Sequence, residues 1–123
     1  RTLAQPSRSG TSRFVAVEPN GTVVGCAAVG PEAGDEGASL GELYVMNVDP
    51  DMWGTGAGSA LHRSALAALN DAGFEGAILW VHPDNDRARR FYESRGWQSD
   101  NVTRLEDVLG VEVPEIRYSL RLT

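Results

Sequence analysis

Apolar and polar residues alternate along the chain in a pattern that predicts six strands and two helices. Short apolar runs bounded by turn residues are typical of strands, and apolar residues spaced three and four apart are typical of helices. The expected strands cover residues 13–18, 22–29, 40–48, 76–82, 97–99 and 115–122, and the expected helices cover residues 59–72 and 84–95. Residues 100–114 fit either a helical turn or one arm of a hairpin. This order predicts a mixed α/β sheet with one β-α-β crossover between two antiparallel ends.

Turn and cap residues mark the limits of these elements. Asn20-Gly21 predicts a tight turn between the first two strands. Asp84 or Asn85 is the expected N-cap of the second helix, and glycines follow both helices. Residues 1–12 are rich in Ser, Arg, Thr and Gly without periodicity. We therefore predict a flexible N-terminal arm at 1–12 and one folded domain at 13–123.

A glycine-dense segment joins the third strand to the first helix. Gly54, Gly56 and Gly58 alternate just before the helical pattern begins. Glycine lets bare backbone N–H groups converge, and the helix adds the positive end of its dipole. Together these features favour a seat for a phosphate or diphosphate. The alternative interpretation is a glycine-rich turn without a ligand.

Two other nucleotide motifs do not fit this segment. A Rossmann fingerprint places its glycines directly after the strand, whereas five residues separate them here. A Walker loop needs a lysine, and the chain contains none.

Composition narrows the classes of function. The 123 residues carry a net charge of −6, which argues against a nucleic-acid partner and suits a cationic acceptor. No apolar run has transmembrane length and no signal peptide is evident, so we expect no membrane partner and a cytoplasmic location. Cys26, a lone cysteine in an apolar run, predicts a buried structural thiol. Two distant histidines and one cysteine offer no ligand spacing, so no metal is expected.

Two motifs at matching separation support a family resemblance. The first, V-x-x-x-x-[Q/R]-x-x-G-x-[G/A], corresponds to Val48, Trp53, Gly56 and Gly58. The second, N-x-x-A-x-x-F-Y-x-x-x-G-[F/W], corresponds to Asn85, Ala88, Phe91, Tyr92, Gly96 and Trp97. From residue 13 onward the chain resembles the GCN5-related N-acetyltransferase (GNAT) family. It departs from the family pattern at Trp53, where Gln or Arg is usual.

The resemblance implies a GNAT-like acyl-CoA N-acyltransferase fold that holds acetyl-CoA between two splayed strands, here diverging toward Val48 and His82. The implied reaction is direct attack of a primary amine, on a small molecule or a peptide, in a ternary complex. The alternatives are a non-catalytic acyl-CoA-binding or regulatory module on the same fold, and an interaction domain with a purely structural glycine turn. The implied cofactor-binding residues are Asn47, Val48, Trp53, Gly54, Thr55, Gly56, Ala57, Gly58, Asn85 and Ala88.

The resemblance also implies two catalytic residues. Tyr92 matches a tyrosine that acts as general acid toward the departing thiolate, and its alternative role is core packing. Glu42 matches a glutamate that deprotonates the amine, and its alternative role is a solvated strand carboxylate. Tyr44 is expected on the same face as Glu42. His82 is a reserve base, whereas His62 is expected at the surface.

Three arginines begin the second helix: Arg87, Arg89 and Arg90. They fit either the nucleotide phosphates of the cofactor or a solvated helix face.

The family normally begins with a strand and one or two helices that wall the acceptor site. Residues 1–12 are too few to encode them. We therefore expect one of three cases: a fragment or minimal variant of the family fold, a longer protein of which these residues are a part, or a partner subunit that supplies the wall, as in a homodimer.

Overall fold

A computed structural model describes residues 1–5, 11–35 and 37–122 and contains a seven-stranded sheet and two α-helices. The strands are β1 Thr2–Gln5, β2 Ser12–Val17, β3 Val23–Pro31, β4 Gly41–Val48, β5 Gly76–Val81, β6 Gln98–Val108 and β7 Val111–Arg121. The helices are α1 Ala57–Asp71 and α2 Asp86–Glu93, and 3₁₀ turns occupy Glu32–Gly34 and Pro50–Met52. Within these residues no helix has the length and apolarity to cross a bilayer.

The strand order in the sheet is β1-β2-β3-β4-β5-β7-β6. Every neighbouring pair is antiparallel except β4 and β5, which are parallel and joined through α1. The predicted mixed α/β sheet with a single crossover is therefore confirmed. Each predicted strand and helix between residues 13 and 95 is found with its ends shifted by at most two residues.

The prediction of a flexible arm over residues 1–12 is wrong at its start. Residues 2–5 form β1, which pairs with β2 so that Leu3 lies opposite Val15. A four-residue edge strand needs only one neighbour and is too short to show a clear alternation of apolar and polar residues. The expectation that no strand precedes the hairpin is wrong for the same reason. The sequence also predicts no helix before the hairpin. The residues between β1 and β2, 6–11, lie outside the described part of the chain except for Thr11.

Residues 100–114, left open by the sequence, belong to a long hairpin. Strands β6 and β7 pair from Gln98 opposite Ser119 to Val108 opposite Val111. Leu109 and Gly110 connect them with φ of +53° and +83°. Two successive positive φ angles match the twist of a two-residue hairpin.

One face of the sheet is covered by the helices. Leu61, Ala65 and Leu69 of α1 are almost fully buried, and Trp97 and Tyr118 fill the core on the side of α2. Leu43 belongs to this core, so its neighbour Glu42 points to the opposite face.

Cys26 of β3 is half-buried rather than enclosed, which corrects the expected buried thiol. It lies opposite Asn47 in the β3–β4 register.

The parallel pair β4 and β5 separates soon after it forms. The register joins Gly41 to Ala77 and Glu42 to Ile78, and the described residues of the two strands do not pair beyond that point. On the β3 side, the β4 register shifts where Ala28 pairs with Val45 and Val29 with Leu43, which leaves Tyr44 as the extra residue of a bulge. The expected divergence of the two strands toward Val48 and His82 is confirmed.

We predict that Gly41→Ala destabilises the fold by about 1–3 kcal/mol, because overpacking a filled core forces side chains and backbone to shift. A Cβ at Gly41 would overlap Leu69 Cδ2 and lie 2.9 Å from Phe74 Cδ2. Gly37→Ala is the matched control, since its Cβ would meet nothing closer than Asp35 Oδ1 at 3.5 Å. Urea unfolding of both variants measures the difference, and equal free energies of unfolding would contradict the packing argument.

Candidate functional site

A cleft of about 740 Å³ lies beside the end of β4, beyond the residues at which β4 pairs with β5. The end of β4, the glycine turn, the start of α1 and one face of α2 enclose it. Its lining residues are Met46, Asn47, Val48, Met52, Trp53, Gly54, Gly56, Gly58, Ser59, Asn85, Arg87, Ala88, Phe91, Tyr92 and Arg95. A volume of this size is typical of a site for a small molecule or cofactor.

The glycine turn presents free amides to this cleft. Gly54 and Gly56 have φ of +80° and +92°, and Gly56 is the N-cap of α1 without a side-chain cap. No acceptor in the described part of the chain receives the N–H groups of Gly54, Gly56, Ala57 or Gly58. Orphan donors next to the positive end of a helix are suited to an anion, so this turn is a candidate anion seat made from backbone.

Two amides of the same segment are used inside the turn. Trp53 N donates to Pro50 O at 3.1 Å, and Thr55 N donates to Met52 O at 3.3 Å. The Thr55 hydroxyl also donates to Met52 O. Among the predicted cofactor-binding residues of this segment, Thr55 therefore directs its amide and hydroxyl into the turn, whereas Trp53 lines the cleft.

Asn85 and Ala88 form the α2 side of the cleft. Asn85 is the N-cap of α2, and its Oδ1 accepts from Ala88 N at 3.2 Å. The capping role is thus present in the structure. Asn85 also lines the cleft, and its amide nitrogen has no hydrogen-bond acceptor among the described residues. The small side chain of Ala88 leaves room beside it.

Tyr92 lies at the inner wall of the cleft, with 7% of its surface exposed. Its ring packs edge-on against Phe91 and Trp97, with centroids 5.4 and 6.0 Å away. Burial raises the pKa of Tyr92 to about 12, so its hydroxyl keeps its proton at neutral pH. No described residue forms a hydrogen bond with this hydroxyl. The hydroxyl oxygen is not fully enclosed by protein.

Glu42 lies outside the cleft lining, at the apex where β4 and β5 still pair. Its Oε1 accepts from Ala33 N at 2.8 Å. Burial raises the pKa of Glu42, and this hydrogen bond partly opposes the shift. Tyr44 donates to Pro31 O, so both side chains contact the segment around the first 3₁₀ turn.

The two histidines differ from expectation in their surroundings. His62 is buried, with 5% exposure, and its Nε2 accepts from Trp97 Nε1 at 3.0 Å. The surface placement predicted for it is wrong, because the segment that follows α2 covers that side of α1. His82 Nδ1 accepts from Asp84 N at 3.0 Å, which gives the reserve base a role in the turn before α2.

The three arginines of α2 do not form one cluster. Arg89 donates from Nε to Tyr118 Oη at 2.8 Å and from a terminal nitrogen to Pro83 O at 2.7 Å. Arg87 lies over the Trp53 ring, with Cζ 3.8 Å from its centroid. Arg90 is exposed and does not line the cleft.

The structure brings together most of the predicted site residues. Tyr92 and the predicted cofactor contacts line the cleft, except Thr55 and Ala57. Glu42 lies outside the lining, where β4 and β5 still pair. Sequence reasoning missed Arg95, which donates to Ser59 Oγ at the start of α1 and stacks 3.7 Å from the Phe91 ring. The signal in the sequence was its helical spacing, which places Arg95 on the inward face of the predicted second helix with the apolar residues.

A model of the acetyltransferase (GNAT) family matches residues 3–97. A mycothiol acetyltransferase of Thermobispora bispora is 42% identical over 86 residues, which are 68% of this chain and 29% of that protein. A mycothiol acetyltransferase of Nocardiopsis dassonvillei is 44% identical over 68 residues, 53% of this chain and 21% of that protein. The chain thus matches less than a third of the length of these relatives.

Solved structures share the architecture. Nourseothricin acetyltransferase superposes with a TM-score of 0.81 at 20% identity, over 97% of this chain and 69% of that one. A GCN5-related N-acetyltransferase from Kribbella flavida gives 0.77 at 24% identity, over 96% and 71%. Ribosomal-protein-S18-alanine N-acetyltransferase from Escherichia coli gives 0.74 at 22% identity, over 95% and 72%. At these identities the likeness concerns the fold, and it confirms the expected fold class.

We predict that stability falls on acidification through the titration of His62. Burial, with a smaller effect of Arg95, lowers the pKa of His62 from 6.5 to about 4. The folded state therefore favours neutral imidazole, and a contribution on the order of 3 kcal/mol, complete above pH 6.5, is lost as the pH falls toward 4. In His62→Gln the amide oxygen still accepts from Trp97 but does not titrate. Urea unfolding at several pH values should show a flatter profile for the variant, and parallel profiles would contradict the assignment.

Proposed function

Because the chain belongs to the acetyltransferase (GNAT) family, we propose that it transfers an acetyl group from acetyl-CoA to a primary amine. The observation that carries this proposal is the cleft between the end of β4, the glycine turn and α2, with unpaired amides at one end and a buried phenol along its wall.

The diphosphate of the cofactor would occupy the seat at the start of α1. The free N–H groups of Gly54, Gly56, Ala57 and Gly58 supply its hydrogen bonds. Arg95 adds a positive charge next to Ser59, at the end of α1 where the helix dipole is also positive. An anion removes the repulsion between these like charges, which favours a ligand that brings two phosphates.

The pantetheine arm would follow the open edge of β4. Its amide groups can pair with the backbone near Asn47 and Val48 as an added strand does. Asn85 can donate from its amide nitrogen across the cleft while its oxygen caps α2. Ala88 lines the same path and avoids steric conflict with the arm.

Tyr92 is our candidate for the acid of the reaction. When the amine attacks the thioester carbon, the carbon–sulfur bond breaks and negative charge develops on sulfur. A phenol with a pKa near 12 keeps its proton in the resting site and can donate a hydrogen bond to that sulfur as the charge appears. Its burial excludes water that would compete for this contact.

Glu42 is our candidate for the base. The amine must lose a proton to become a nucleophile, and a carboxylate with a raised pKa accepts protons closer to neutral pH. Glu42 faces the side of the sheet opposite Leu43 and α1, so the acceptor would approach from there, directly or through a water molecule. Direct attack in a ternary complex needs no acetyl-enzyme intermediate.

The acceptor is proposed as a primary amine on a small molecule or a peptide. The sequence relatives are named mycothiol acetyltransferases. One protein that shares the fold is named for the alanine of a ribosomal protein, so the proposal keeps both acceptor classes. The net charge of −6 favours encounter with a cationic amine.

The first test is titration of the protein with acetyl-CoA by calorimetry. We predict that Gly56→Asp weakens binding by about 100-fold or more, because a carboxylate at the N-cap would occupy the free amides and repel the diphosphate. Gly21→Asp is the matched control: it has φ of +88°, open surroundings and the same new charge, but lies in the β2–β3 turn. The control should bind as the parent does.

Binding that survives in Gly56→Asp would place the diphosphate elsewhere. No heat and no thermal shift with the parent protein would reject the proposed function and favour a structural glycine turn.

The second test separates the enzyme from a non-catalytic acyl-CoA-binding module. After a CoA-release screen with amines and peptides has identified an acceptor, Tyr92→Phe should lower kcat by about 100-fold while the affinity for acetyl-CoA stays within a few-fold. The reason is that the phenol is needed as charge develops and not for cofactor binding.

Tyr118→Phe provides the control for loss of a buried hydroxyl. Tyr118 donates to Glu93 Oε2 and accepts from Arg89 Nε, away from the cleft lining. The Tyr118→Phe variant should be less stable than the parent protein and should keep the parent kcat. If Tyr92→Phe retains the parent kcat, Tyr92 is a packing residue and the acid lies elsewhere.

A further inference from the structure

The side chains of Trp53 and Arg87 meet across the mouth of the cleft. Trp53 follows β4, and Arg87 lies in the first turn of α2, so the pair links the two sides that separate beyond Glu42. The Arg87 Cζ atom lies 3.8 Å from the centroid of the indole. Both residues line the cleft.

The indole is held in a fixed orientation. Trp53 Nε1 donates to Val48 O at 3.0 Å, which ties the ring to the last residue of β4. Nearly half of the Trp53 surface, 48%, remains exposed. A guanidinium stacked on this ring is restricted to one plane, whereas its in-plane N–H groups stay available to a ligand.

Arg87 has no carboxylate partner in the described parts of the chain. The ion pairs found there are those of Arg104 and Arg117, on the β6–β7 side of the sheet. An oriented and unpaired guanidinium in a protein of net charge −6 suits bidentate recognition of a phosphate group. Because we assign the diphosphate to the free amides at the start of α1, the phosphate that Arg87 can bind is a further one.

We propose that Arg87, positioned by Trp53, binds the 3′-phosphate of the cofactor's adenosine, so that the domain selects a free, nucleotide-bearing CoA thioester. A donor with a 4′-phosphopantetheine arm attached to a carrier protein lacks this group and is disfavoured. The proposal rests on the proposed function, because it assumes that the cleft binds CoA. Arg87 is a binding residue here, and Trp53 is a positioning residue.

The test compares CoA with 3′-dephospho-CoA by calorimetry. The parent protein should bind CoA about tenfold or more tightly than 3′-dephospho-CoA, as expected for loss of a charge-assisted hydrogen-bonded pair. Arg87→Ala should weaken CoA binding by that factor and leave the affinity for 3′-dephospho-CoA unchanged. Arg90→Ala is the matched control, since Arg90 is an exposed arginine of the same helix outside the cleft, and it should keep the preference.

Variants of Trp53 test its positioning role. Trp53→Gln, which restores a residue usual in the family, should reduce the preference for CoA, whereas Trp53→Phe keeps a ring for stacking and should retain most of it. A merely structural role would lower the melting temperature without changing the ratio of the two dissociation constants. A full preference in Trp53→Gln would therefore overturn the positioning role.

The remaining outcomes distinguish a failure of the 3′-phosphate site from a failure of the proposed function. Equal binding of CoA and 3′-dephospho-CoA by the parent, or an unchanged preference in Arg87→Ala, overturns the 3′-phosphate site and leaves CoA binding intact. Failure of both ligands to bind overturns the proposed function, and this inference with it.

Discussion

The separation of β4 from β5 is the constraint on which the rest of the site depends. The two strands pair at Gly41 and Glu42 and then diverge, and β4 bulges at Tyr44 next to this point. Backbone groups that lose a neighbouring strand must find partners in water or in a ligand. The sheet therefore contains a slot with a strand-like polar edge, which suits an extended arm carrying amide groups.

The charged side chains that border the slot are opposite in sign to the net charge of the chain. The net charge is −6, yet Arg87 and Arg95 both border the cleft and neither forms an ion pair within the described residues. Arg95 even lies beside Ser59, where the start of α1 is itself positive. Such an arrangement is unfavourable without a ligand, because like charges repel at short range. An anion with several negative charges would compensate this repulsion, which supports our proposal that the cleft binds a polyphosphate group.

The elements around the cleft were predictable because their signals are local. The glycines before α1, the N-cap Asn85 and the stripe that carries Tyr92 each act within a few residues of sequence. His62 was misplaced because its burial depends on Trp97, 35 residues away. The short strand β1 was missed because its pairing with β2, and not its own pattern, makes it a strand. Likewise, the internal use of the Thr55 amide depends on positive φ angles at its neighbours, which glycine permits without specifying.

In the proposed reaction, the two faces of the sheet would keep the acid and the base apart, so that they do not neutralise each other. Tyr92 belongs to the face covered by the helices, whereas Glu42 alternates with Leu43 and faces the other side. If they were adjacent, the phenol would donate to the carboxylate, and neither group would be free for substrate. Separated by the slot, they can address opposite sides of a thioester that passes between the strands. Burial raises the pKa of both groups, which keeps the proton on the phenol and makes the carboxylate a better base.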